Sequence, residues 1–137
     1  MREHYIIGQG ARSISLEVKI GTPGLAHTWV YLFSDETTFE KIAESGDDDA
    51  NIAKMPIGTA DELDGKFLKI RTSVDFRLMD PEQWPQLIET IFCEYILSGG
   101  PEGEQVFRCQ ADDKSINGEG NIVIIDKIID LIQSPPA

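Results

Sequence analysis

Two cysteines, two histidines and half as many cations as acids limit this sequence before any motif does. Two cysteines cannot build a disulfide framework. Neither belongs to a Cys-x-x-Cys pair, and a structural zinc site needs four ligands. His4 and His27 leave little material for acid–base chemistry, and the chain carries neither His-Glu-x-x-His nor a Gly-x-Ser-x-Gly nucleophile elbow. The formal net charge is −12 and the sequence pI near 4.4. That balance opposes binding to nucleic-acid phosphates and to anionic membrane surfaces. No stretch approaches the roughly 20 apolar residues of a transmembrane helix, and no apolar signal-peptide region follows Met1-Arg2-Glu3-His4. These absences lead to the expectation of a cytoplasmic protein that uses no cofactor or metal, inserts into no membrane and binds no nucleic acid.

What is present is a core. Of 137 residues, 41% are hydrophobic, enough for a single domain over 1–137 with a flexible tail at 133–137. The clearest architecture runs from Ile88 to Asp112. Folded about Pro101, this stretch sets Cys93 opposite Cys109, Tyr95 opposite Phe107 and Leu97 opposite Gln105 on one face. On the other face Glu94 meets Arg108 and Ile96 meets Val106. A slip of one residue would break all these matches at once, so a β-hairpin in this register is predicted. The glycines of Gly99-Gly100-Pro101-Glu102-Gly103 supply the positive-φ positions that such loops use.

The remainder reads mostly as strands. Tyr5-Ile6-Ile7 is a short first strand. Ile14, Leu16, Val18 and Ile20 alternate with Ser13, Ser15, Glu17 and Lys19, the mark of a half-buried strand. Gly21-Thr22-Pro23-Gly24 is a turn, and Leu25–Phe33 reads as the returning partner, with Trp29 opposite Leu16, Tyr31 opposite Ile14 and His27 on the apolar face. Ser34 or Asp35 is placed to cap a short helix near 36–44 with Phe39, Ile42 and Ala43 as its apolar stripe. The acidic segment 35–64 reads as a long surface excursion without period-2 alternation. Leu68, Ile70, Thr72, Val74 and Phe76 form another alternating strand. Asp80-Pro81-Glu82 starts a helical turn, which Pro85 is expected to confine to the neighbourhood of Trp84. Asn117-Gly118 is a type I′ dipeptide. It feeds 121–132, whose Ile and Val density favours a strand although Asp126, Lys127, Asp130 and Gln133 would share one side of a helix. As a strand it is apolar on both faces, which requires a central position between layers or a contact with another chain. Together these elements predict a mainly β protein, an antiparallel β-sandwich compatible with a jelly-roll or C2-like topology.

Function is less legible. Ile122, Ile124, Ile128 and Ile132, with Asp47, Asp48 and Asp49, are the candidate interaction surface, and Cys93 and Cys109 the candidate thiol pair. Asp113-Lys-Ser115-Ile-Asn117-Gly118 matches the first half of an EF-hand loop but has Ile124 where the bidentate glutamate is required. The primary expectation is a non-catalytic module that binds a protein partner or itself. The alternatives are an acidic inhibitor or immunity-type protein for a basic partner, a calcium-dependent binding module using the Asp47 loop, and a small enzyme using His27.

Overall fold

The alternation of β2 (Ser13–Gly21) buries Ile14, Leu16 and Val18 and leaves Ser13 and Lys19 in water. The computed structural model describes residues 2–46 and 49–134. It builds on such strands two packed sheets, an arrangement consistent with a β-sandwich. β1 (Glu3–Ile6), β10 (Ile122–Ile132), β6 (Phe67–Asp75), β3 (Leu25–Phe33) and β4 (Phe39–Glu44) lie in that order in a six-stranded sheet, where short β9 (Lys114–Ile116) also pairs with β10. β5 (Ile52–Thr59), β2, β7 (Phe92–Ser98) and β8 (Gln105–Arg108) form a four-stranded sheet. All pairs are antiparallel except β1 with β10. The inner faces meet in a core that includes Leu16, Val30, Ile70, Tyr95, Ile125 and Ile129.

The predicted hairpin is present. β7 and β8 pair Glu94 with Arg108, Tyr95 with Phe107, Ile96 with Val106 and Leu97 with Gln105, and the Arg108 guanidinium reaches Glu94 at 3.0 Å. Its loop packs against the start of the chain. Gly99 has φ +100°, and a Cβ there would collide with the Ser13 carbonyl oxygen, so both backbone conformation and space demand glycine. The Tyr5 hydroxyl donates to Gly103 O at 2.7 Å and accepts from Gly100 N.

β2 and β3 do not pair with each other. β2 lies between β5 and β7, and β3 between β6 and β4. The turn at 21–24 therefore carries the chain from one sheet to the other, a connection that a short loop makes as readily as a hairpin. The faces of β3 are consequently inverted relative to expectation. Thr28, Val30 and Leu32 point into the core, while His27, Trp29, Tyr31 and Phe33 point outward.

The expected helix at 36–44 is also absent. Asp35 does cap, accepting from Thr37 N at 2.9 Å and Thr38 N at 2.8 Å, but it closes a turn from which β4 runs back along β3. Nine residues hold little helix stability alone, and pairing with β3, with Phe39 stacked on Phe33 at 4.8 Å, prevails. Nor is 35–64 a structureless excursion: it contains β4, β5 and a short helix α1 (Ala60–Leu63) closed by a Thr59–Glu62 capping box. The hidden alternation has a physical cause. Register shifts interrupt both the β3–β4 and the β2–β5 ladders, and each extra residue flips the side chains that follow. Pro56 is tolerated because β5 is an edge strand.

Two smaller expectations change. Helix α2 (Trp84–Glu89) runs on past Pro85, which sits in its first turn where no N–H is needed. The loop after β9 is not type I′: the positive φ belongs to Gly120 (+81°), and Asn117 Oδ1 accepts from the N–H groups of Asn121 and Ile122. β10 is the expected strand, central and eleven residues long.

Candidate functional site

Because β10 alternates strictly, Val123, Ile125, Ile129 and Leu131 enter the core and Ile122, Ile124, Ile128 and Ile132 line the outer face of the six-stranded sheet. All four isoleucines proposed from sequence thus share one surface. Across β6 stands a second apolar row: Trp29, Tyr31 and Phe33 on β3, the face expected to point inward, extended by Phe39 on β4, expected on a helix, and by Phe67 on β6. Their rings interlock. Phe33 stacks on Phe39 and on Phe67, each at 4.8 Å, and Tyr31 meets Phe39 edge-on at 5.8 Å. The Arg2 guanidinium lies over Phe67, 4.3 Å from its centroid. Phe39 remains 57% exposed. Tyr31, Phe33, Phe39, Lys69 and Arg71 line a shallow depression of about 270 Å³.

Charge on this face is nearly balanced, in a chain that is not. Arg71 makes a two-pronged contact with Asp126 at 2.8 and 2.9 Å. Arg2 bonds Asp130 at 2.6 Å, Lys41 bonds Glu44, and Arg77 neutralises Asp75. These pairs leave little net charge around the two apolar rows. The signal for the aromatic row was available: Leu25–Phe33 is apolar on both faces, the same property that singled out 121–132.

Of the three acidic candidates only Asp49 falls among the described residues. Asp47 and Asp48 lie outside the described residues, and Asp49 is exposed and accepts from Asn51 N at 2.8 Å. Among the described residues no group of three His, Cys, Asp or Glu side chains could hold a metal ion.

His27 is half-buried on the outer face, its ring 4.6 Å from that of Trp29. Nε2 lies 2.6 Å from Glu44 Oε2 and Nδ1 3.3 Å from Ser45 Oγ. The order serine, imidazole, carboxylate has the outline of a nucleophilic relay. Its serine is occupied, however: Ser45 is 8% exposed and its Oγ accepts from Thr28 N at 2.9 Å. The contacts join the end of β4 to β3.

The thiols lie on the inner side of the β7–β8 hairpin, both free. Cys93 is buried and Cys109 half-buried. Interaction with Cys109, together with burial, pushes the Cys93 thiol up, while the hydrogen bond from Cys93 and the Lys114 ammonium hold Cys109 below the ordinary thiol value. Next along β7, the Tyr95 hydroxyl is the one buried side-chain polar atom among the described residues without a hydrogen-bond partner. Burial, and then Cys93, raise its pKa.

Comparison with protein-family models, with curated proteins and with solved structures returns no match. No helix among the described residues is long and apolar enough to cross a membrane.

Proposed function

We propose that this protein is a non-catalytic interaction module whose docking surface is the outer face of the six-stranded sheet, and that its occupant is a second copy of the same chain. The observation that carries this reading is the pair of apolar rows on β3 and β10, facing away from the core that the same strands build with their alternate residues. Patches of this kind on a sheet face mark contact surfaces. Charge selects the partner. A chain at −12 repels its copies over most of its surface, but this face pairs its own acids and bases. Two copies can meet here without facing like charge, and a basic partner gains nothing from it.

A closed twofold pair places one patch against its own copy. With β6 near the axis, the aromatic row of each protomer would cover the isoleucine row of the other. Light scattering coupled to size exclusion tests this: a dimer is expected at micromolar concentration, falling to monomer in Tyr31→Glu and Ile124→Glu. A wild-type chain that stays monomeric throughout the micromolar range overturns the reading.

A further inference from the structure

We propose that Cys93 and Cys109 form a redox modification site: a hydroperoxide oxidises Cys109, and Cys93 resolves the product as a reversible disulfide within the chain. The site lies in the opposite sheet from the docking face and does not depend on it.

The geometry comes from the hairpin register. The ladder ends at Glu94 and Arg108; continuing its register by one step sets Cys93 opposite Cys109, and the two thiols interact directly. Directly opposed side chains of an antiparallel pair approach closely enough for a cross-strand bridge. The two thiols differ in access. Cys93 is 1% exposed, whereas Cys109, one residue beyond the end of β8, is only half-buried. A dissolved oxidant meets Cys109 first, and Cys93 waits behind it, shielded from direct attack. The Lys114 ammonium favours an anion at Cys109, and Asp113 opposes it. The Tyr95 hydroxyl, two residues along β7 on the same face as Cys93, is buried without a hydrogen-bond partner, which is unfavourable.

The chemistry closes without a cofactor. The Cys109 thiolate attacks one peroxide oxygen, the O–O bond breaks, and the departing hydroxide takes up a proton as water, leaving a sulfenic acid on Cys109. The Cys93 sulfur then attacks the Cys109 sulfur. The S–O bond breaks, and the leaving hydroxide takes the Cys93 proton as a second water. Two thiols and one hydrogen peroxide become one disulfide and two waters. A dithiol reductant reverses the oxidation.

The test is to treat the reduced full chain with hydrogen peroxide and read intact mass and peptide maps without reduction. A mass lower by two hydrogens and a linked pair of peptides carrying Cys93 and Cys109 is the expected result, with a dithiol restoring the starting mass. Cys93→Ser should accumulate a sulfenic acid on Cys109 that dimedone labels, and Cys109→Ser should give neither label nor mass loss. The wild-type measurement stands even if a variant fails to fold. The proposal is overturned by sulfinic or sulfonic acid on Cys109 without the linked peptides, by disulfides only between chains, by dimedone label on Cys93, or by thiols left intact at peroxide levels that consume free cysteine.

Discussion

The two sheets differ in opposite ways on their two faces. The four-stranded sheet keeps closer to the ordinary rule, with Leu16, Val18, Tyr95 and Leu97 inward and Ser13, Glu17, Lys19 and Arg108 outward, although Phe92, Ile96 and Val106 also face out. The six-stranded sheet breaks it twice. Its outer face carries the aromatic and isoleucine rows, and its inner face carries buried Thr28, Thr72 and Lys127. The threonine hydroxyls satisfy each other across β3 and β6 at 2.9 Å. Lys127, 3% exposed, donates to Glu3 at 3.0 Å and to the Arg108 carbonyl at 2.9 Å, with Asp113 at 3.5 Å. That ammonium links β10 of one sheet to β8 of the other. Polar groups inside and apolar groups outside are each unfavourable unless something compensates. Inside, the compensation is visible in the hydrogen bonds. Outside, a second protomer would supply it.

Removing the inner anomaly gives the largest expected effect. Lys127→Ala leaves Glu3 and Asp113 without their shared cation and should cost about 3–5 kcal/mol in urea unfolding, the range for breaking a buried ion pair from one side. Adding Glu3→Gln should recover part of that loss. If Lys127→Ala costs less than about 1 kcal/mol, the inner polar cluster is not structural. In the ordinary sheet the vulnerable point is backbone. Gly99→Ala should destabilise by at least about 2 kcal/mol, since a left-handed conformation alone costs 1–2 and the new Cβ also meets the Ser13 carbonyl. The outer faces are compared next. Tyr31→Glu or Ile124→Glu should weaken self-association at least tenfold, about 1.4 kcal/mol. Val106→Glu, on the outer face of the other sheet, should leave it unchanged. Equal loss in all three would mean that the apolar rows are not the contact.

The same asymmetry explains what could be read from the letters. The β7–β8 register was legible because aromatic, aliphatic, ionic and thiol matches coincide in one alignment, and β2 because its outer residues are polar. β3 was assigned the wrong face and the wrong neighbour: with both faces apolar, period two cannot say which side is core, and a four-residue turn does not reveal whether it joins strands within a sheet or between sheets. β4 and β5 were missed because register shifts break their alternation. Of the proposed docking face, the isoleucine row is legible and the aromatic row is lost through that single inversion. The partners of Lys127 come from residues 3, 108 and 113, a convergence that no local pattern encodes.

Outer charge should matter less than inner charge. Arg71 and Asp126 have good geometry, but the Arg71 side chain is 42% exposed, so Arg71→Ala should cost below about 1 kcal/mol.

The smallest effect concerns the thiols that the ordinary sheet keeps on its inner side. The Cys93 hydrogen bond and the Lys114 ammonium lower the Cys109 pKa, against burial and Asp113. The reactive thiolate should therefore persist to lower pH than in an ordinary cysteine, whose pKa is about 8.5. Followed by iodoacetamide alkylation, Cys109 should react with a pH midpoint below that value, slowing as pH falls through it because the sulfur is then protonated. Cys93→Ser weakens the largest contribution, and Lys114→Met removes the next one that favours the anion. Each should move the midpoint upward. A midpoint at or above that of free cysteine in the wild-type chain would show that burial prevails at Cys109, as it does at Tyr95.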